Sequence, residues 1–367
     1  MVFGFPSRTS FTATFDDAGT DDSHTITWSF GDGATQVFSG NSSSAAGITH
    51  TYNTPGEYTV TYTVADGDGG SVTESFTITV SAAMVDVDPN NSGKTALFVN
   101  GSNSADDIVL RSTDGGAIEV LINGESQGIF TFNGGIYINS FGGDDDVRVM
   151  PNIATGAYID AGTGNDTVVG GAGDDTIVGG VGEDSLRGGA GDDSISGGTG
   201  ADRILGGDGN DDIDGGADND VIYGLAGADN LLGAAGKDRI YGGDGDDVLN
   251  GQDGDDSLFG EAGKDKMSGE NGADSLDGGA GADSITGGAG NDQLLGGAGA
   301  DKLYGQAGDD LLTGGADVDK LDGGDGKDQG LKDALDSFTN VESIVKTLTK
   351  PKVGKKPKTA ASLTIKK

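Results

Sequence analysis

Gly170-Gly171-Ala172-Gly173-Asp174-Asp175-Thr176-Ile177-Val178 is followed at once by Gly179-Gly180-Val181-Gly182-Glu183-Asp184-Ser185-Leu186-Arg187, the same pattern nine residues on. Worked outward from this pair, the phase holds without insertion or deletion from Ala161 to Leu331, nineteen units of nine residues. The sixth position is Asp in all nineteen: Asp166, Asp175, Asp184, Asp193, Asp202, Asp211, Asp220, Asp229, Asp238, Asp247, Asp256, Asp265, Asp274, Asp283, Asp292, Asp301, Asp310, Asp319 and Asp328. The eighth is Val, Ile, Leu or Met in eighteen units and fails only at Gly330. Glycine fills the first position in eighteen units, the fourth in seventeen and the second in thirteen. A disordered acidic tract has no phase. Low complexity with a fixed period reads as a solenoid.

The period assigns a role to each column. Positions one to six form a turn in which glycine permits positive φ and close approach of backbones. Positions seven to nine form a short strand whose middle residue points inward. Turn and strand make half a coil, so two units complete an eighteen-residue turn of a parallel β-solenoid, and each unit stacks on the next but one at about 4.8 Å. Ile177, Leu186, Ile195 and Ile204 would fill the thin space between two sheets.

That core is too sparse to offset the ordering of the repeats. Stacked aspartates add repulsion of about 1 kcal/mol per pair even in water. A hard divalent cation converts the repulsion to attraction. Ca²⁺ takes six to eight oxygens from carboxylates and backbone carbonyls, which glycine-rich turns supply when two of them stack. Asp175 should pair with Asp193 and Asp193 with Asp211 along one edge, and Asp184 with Asp202 and Asp202 with Asp220 along the other. With two His and no Cys in the chain, zinc lacks its preferred ligands. Mg²⁺ demands a stricter, water-rich octahedron.

The pattern G-G-x-G-x-D-x-U-x resembles the nonapeptide of the RTX, or haemolysin-type, calcium-binding repeats. The resemblance implies a parallel β-roll that binds several Ca²⁺ ions, is unfolded without them and folds outside the cell. Departures from glycine fall at Asp218 and Asp317 in the fourth column and at Leu225, Ala234, Gln252, Glu261, Glu270 and Gln306 in the second.

Upstream the pattern changes. Residues 11–80 alternate with period two in Phe11–Phe15, His24–Trp28, Tyr58–Val64 and Ser75–Val80, with turn signals at Gly31-Asp32-Gly33, Pro55-Gly56 and Asp66–Gly70 between them. Residues 1–80 therefore read as a small β-sandwich. Trp28-Ser29-Phe30-Gly31-Asp32-Gly33 and His50–Val60 resemble the PKD domain, which implies an immunoglobulin-like β-sandwich with Trp28 and Tyr58 as core. Such domains usually open on a further strand. Met1 to Ser10 reads neither as that strand nor as a signal peptide, which suggests a fragment of a larger secreted protein. The resemblance implies contacts to a glycan, a cell-surface or a matrix protein, without choosing among them.

Residues 81–94 read as a linker. Residues 95–160 read as a degenerate β section leading into the roll, with repeat-like pieces at Ser104–Ile108 and Gly142–Val147 that make Asp145 a candidate ligand. Residues 332–345 offer Leu335, Phe338, Val341, Ile344 and Val345 as a cap. Residues 346–367 carry eight Lys and no acid, a basic disordered tail, so the preceding 345 residues carry 14 − 60 = −46 and the tail brings the chain to −38.

The whole is expected to be all-β: a PKD sandwich, then a calcium-bound β-roll. A surface this acidic repels nucleic acid and anionic membranes, and no apolar run reaches membrane length. Without cysteine, disulfides and thiolate sites are excluded. Gly124-Glu125-Ser126-Gln127-Gly128 matches a nucleophile elbow, but no His follows it and Asn123-Gly124 signals a hairpin. The expected function is therefore non-enzymatic: a secreted or cell-surface calcium-stabilised structural or adhesive protein, with type I export as the family's usual route. The alternative is the non-catalytic C-terminal region of a secreted hydrolase or toxin-like RTX exoprotein.

Overall fold

Alternation of an inward aliphatic with outward polar neighbours makes each repeat a strand, and glycines make each corner. In a computed structural model, which describes residues 7–11, 24–40, 48–52, 56–332, 336–341 and 343–346, all elements are strands. Two sheets of fifteen and fourteen strands, among the described residues, carry alternate repeats, and every repeat pairs in parallel with the one 18 residues on, as Ile177 with Ile195 and Leu186 with Ile204. The eighteen aliphatic residues of the eighth column, Val168 through Leu321, are each at most 2% exposed.

The strands are longer than the three residues expected. Thr176–Val181 is representative. Pairing covers positions seven to nine, skips the first, and resumes at the second and third, as in Val178↔Ser196 followed by Gly180↔Gly198. Only positions four to six turn the corner.

The eight departures from glycine have a common conformation. Asp218, Leu225, Ala234, Gln252, Glu261, Glu270, Gln306 and Asp317 all hold φ between 70° and 84°, the left-handed region least costly to an L-residue. Second-column glycines range further, as Gly207 at 141°. The coil is thus imposed by its neighbours on residues that resist it. Leu225→Gly, at a side chain 40% exposed, should stabilise the calcium-loaded protein by roughly 0.5–1 kcal/mol, the left-handed strain less the entropy of the added glycine. A lowered melting temperature would contradict this.

The solenoid begins well before Ala161. Ile136–Asn139 pairs in parallel with both Ala157–Thr163 and Asn91–Asn100, and Asp146–Val149 with both Thr167–Gly171 and Asp107–Ser112. One continuous core runs from Ala83 to Leu321. The linker expected at 81–94 is instead part of a hairpin, Ala83–Asp88 with Asn91–Asn100, which ends one sheet. Pro89-Asn90 is its turn, and Asp88 Oδ1 accepts from the amides of Asn90 and Asn91 at 2.8 and 3.2 Å. The other sheet ends on Ile118–Ile122 and Glu125–Phe130, joined at Asn123 (φ 53°) and Gly124 (φ 79°). The elbow-like motif is this hairpin, and Ser126 Oγ donates to Glu119 Oε1 at 3.0 Å.

At the other end Ser337–Thr339 and Ser343–Lys346 add one more coil. Phe338 occupies the space a side chain at position 330 would need, which accounts for the one missing aliphatic of the eighth column. The chain continues here as strands; Leu335 and the basic residues 347–367 lie outside the described residues.

In the N-terminal domain a four-stranded sheet of Thr35–Gly40, His24–Ser29, Gly56–Ala65 and Ser71–Val80 stands beside a two-stranded one. The latter pairs Ser7–Phe11 with Ile48–Tyr52, so an opening strand exists where none was expected. Ser-Arg-Thr-Ser-Phe lacks an apolar alternation, and its partner strand decides the pairing. Residues 12–15 of the first expected strand lie outside the described residues. Trp28 is 1% exposed, and Tyr58 packs against the same core.

Candidate metal centre

The sixth-column aspartates lie at the corners in two stacks. Within each stack the amide of one aspartate donates to Oδ1 of the next: Asp175 to Asp193 at 2.8 Å, Asp193 to Asp211 at 2.9 Å, Asp184 to Asp202 and Asp202 to Asp220 at 2.8 Å. These are the pairs expected from the period. One stack runs from Asp175 to Asp319, the other from Asp166 to Asp328. Asp145 joins the second stack, its amide donating to Asp166 Oδ1 at 2.8 Å.

One oxygen of each pair is thereby occupied and the other is not. From Asp166 through Asp310, and in Asp145, every Oδ2 is buried without a hydrogen-bond partner. A buried carboxylate oxygen left in this state is costly. It sits in a cradle formed by the first-column glycine: a Cβ at Gly278 would lie 2.5 Å from Asp283 Oδ2 and 2.7 Å from the Gly296 carbonyl oxygen of the next coil. The glycine columns therefore have separate causes. The first leaves room for a carboxylate and a carbonyl to converge; the second and fourth meet the backbone of the preceding coil at positive φ.

Burial, reinforced by neighbouring aspartates, pushes the Asp175, Asp220 and Asp274 carboxyls up to about 7. Burial likewise lifts Asp166, Asp193, Asp202, Asp211, Asp229, Asp238, Asp265 and Asp310 to about 6. Asp145 rises to about 6 for the same reason. Among the described residues no three His, Asp or Glu side chains converge on one point. A cation must then draw on one or two stacked aspartates and on the carbonyls of the turns. Oxygen-only donors, orphaned carboxylate oxygens and a cradle kept open by glycine fit a hard cation that accepts backbone ligands, which is Ca²⁺.

Two features were not anticipated. The fifth column forms a second, exposed ladder in the opposite sense: the amides of Asn210, Ala228 and Lys264 donate to side-chain oxygens of Asp192, Asn210 and Asp246 at 2.8, 2.8 and 2.9 Å. Its signal was the recurrence of Asp and Asn at that position. The second is Asp106, which tops the stack above Asp145, its amide donating to Asp145 Oδ1 at 2.7 Å. Its Oδ2 accepts from the amide and hydroxyl of Ser102 at 2.6 and 2.9 Å, and its Oδ1 from Asn123 Nδ2 at 2.8 Å. Neutral donors here do what a cation would do below. Asp88 is likewise bonded at both oxygens, to the Asn90 and Gly135 amides.

The first coils should therefore need no cation. In chelator, amides of Leu97–Val99, Ile108–Leu110 and Ile136–Ile138 are expected to stay protected from hydrogen exchange while those from Ile195 to Leu321 exchange freely. Uniform exchange along the chain would contradict this.

Residues 6–80 match the PKD domain family. Ten overlapping stretches between 158 and 329 match the RTX calcium-binding nonapeptide repeat. No curated protein matches the chain.

Proposed function

Since the chain is an RTX calcium-binding repeat protein with an N-terminal PKD domain, we propose that it works outside the cell as a calcium-set structural or adhesive protein. The repeats bind several calcium ions. The nineteen aspartates of the sixth column hold them, with Asp145 as the first ligand of its stack. The carrying observation is the unbroken row of buried Oδ2 atoms without partners from Asp166 to Asp310. Calcium, when bound, supplies the positive charge that lets these carboxylates stay ionised and buried. The chain itself contributes the two stacks, the glycine cradles and the carbonyls.

Such a roll has little reason to fold where free calcium is scarce and folds where it is plentiful, which suits export as an unfolded chain, with a type I exporter as the route. Both matched families are structural and binding modules. The PKD domain would then contact a glycan, cell-surface or matrix protein, while the roll sets distance and rigidity. The test is an antibody to the calcium-loaded roll, applied to intact source cells, their medium and their cytosol. Recovery on the surface or in the medium is expected. A folded pool confined to the cytosol would overturn the proposal.

A further inference from the structure

The outer face of the fifteen-stranded sheet carries three arginines without ion pairs on a strongly acidic molecule, the exposed Asp208, Asp244 and Glu261 lying toward the far ends of the same strands. Five successive strands there, from Ser185–Ala190 to Ser257–Ala262, show Ser, Arg, Leu, Val, Tyr and Phe at their outward seventh and ninth positions and no acid. Arg187, Arg203 and Arg239 are all exposed. Among the described residues, ion pairs form at Arg111, Arg148 and Lys237, and none forms at these three. With 60 acidic residues in the chain, three unpaired guanidinium groups on one face point outward to a partner's charge.

Beside them runs a ladder of half-buried rings. Tyr223 stacks on Tyr241 and Tyr241 on Phe259, each at 4.8 Å between centroids and within 11° of parallel. Arg203 lies over the Tyr223 ring at 4.8 Å, which holds its guanidinium in place before any ligand arrives. Arg203 and Arg239 share a column with Val221 between them, so their backbones stand two strand spacings apart, about 9.6 Å. That is close to one disaccharide of an extended polysaccharide.

We infer that this face docks an extended acidic glycan bearing a carboxylate on alternate sugars, with Arg203 and Arg239 each forking onto one carboxylate and the Tyr223–Phe259 ladder lying along the apolar edge of the sugars. Planar guanidinium donors match carboxylates in two-point geometry, and aromatic rims suit sugar C–H surfaces. The net charge of the chain does not forbid it. At physiological salt the field of distant charges is screened beyond about 8 Å, and the inference rests on calcium binding, which neutralises the aspartate stacks on either side.

The test is calorimetric titration of the full chain in millimolar calcium at physiological salt. The probes are hyaluronan oligosaccharides, in which uronate alternates with an N-acetylated sugar, uncharged chitin oligosaccharides and poly-glutamate. Binding to hyaluronan alone is expected. Combined Arg203→Gln and Arg239→Gln should weaken it about tenfold, two exposed charge contacts being lost, with calcium-driven circular dichroism unchanged. Lys266→Gln with Lys302→Gln, on the opposite sheet, should leave it intact. The inference is overturned by absent hyaluronan binding, by equal binding of chitin oligosaccharides, by preferential binding of poly-glutamate, or by full affinity in the double arginine variant.

Discussion

Asp247→Asn should raise the calcium concentration at which the roll folds about twofold or more, whereas Asp328→Asn should barely move it. Asp247 lies mid-stack: its Oδ1 accepts from the Asp229 amide and its own amide donates to Asp265 Oδ1, both at 2.9 Å. Asparagine keeps the accepting oxygen and nearly the same volume, so the amide ladder survives. What is lost is the anionic Oδ2 that two neighbouring ions would share. Asp328 closes its stack, accepting from Asp310 at 3.0 Å, and would serve a single ion. The shift is modest despite the loss of charge-assisted contacts because folding is linked to many ions at once, which divides a local deficit among them. Calcium titrations of the two variants followed by circular dichroism decide it. Equal midpoints would mean that the ions are held independently of stack position.

Acidity should act in opposite directions with and without calcium. In the cation-free roll the carboxyls raised by burial, with values of about 6 to 7 at Asp175, Asp193, Asp220 and Asp274, favour the protonated form when folded. An aspartate in the unfolded chain titrates near 3.8. The folded state therefore binds more protons, and its stability is present below about pH 4 and lost as pH rises through about 7. In chelator, the β-structure of the repeats should be visible near pH 4 and gone near pH 7.5, leaving only that of the first coils and the N-terminal domain. With calcium present the sign reverses. Protons compete for the same oxygens, so the calcium midpoint should climb as pH falls from about 7 to about 5. Circular dichroism across that range, with and without chelator, is the measurement. Parallel pH profiles in the two conditions would show that the sixth-column carboxyls are not the linked groups.

Much of this was legible in the residues. A nine-residue phase fixes which side chain points inward, and an eighteen-residue coil follows from it, so Ile177 over Ile195 and Asp175 over Asp193 required no coordinates. The roles of individual glycine columns did not follow, because sequence shows that a side chain is excluded and not what excludes it. Gly278 faces a carboxylate, while Gly207 meets the backbone of the coil before. The ends were least legible. Asp86 to Gly93 carries turn residues that suit a linker and a hairpin equally, and the strand at Ser7–Phe11 depends on a partner some forty residues away. Gly330 is the one failure of the eighth column; its missing side chain makes room for Phe338. Asp106 gave no sign of being satisfied, since its donors come from Ser102 and Asn123, which periodicity does not join.

The central claim is that the two aspartate stacks hold calcium and that the roll folds because they do. Titrating the full chain with calcium from chelator, at pH 7.5, while recording far-ultraviolet circular dichroism and bound ions together, tests it most directly. The account predicts a steep rise in β-structure with a Hill coefficient well above one, reached in step with the uptake of several ions per chain. A β-rich spectrum already complete in chelator, or ions taken up one by one without change in structure, would contradict it.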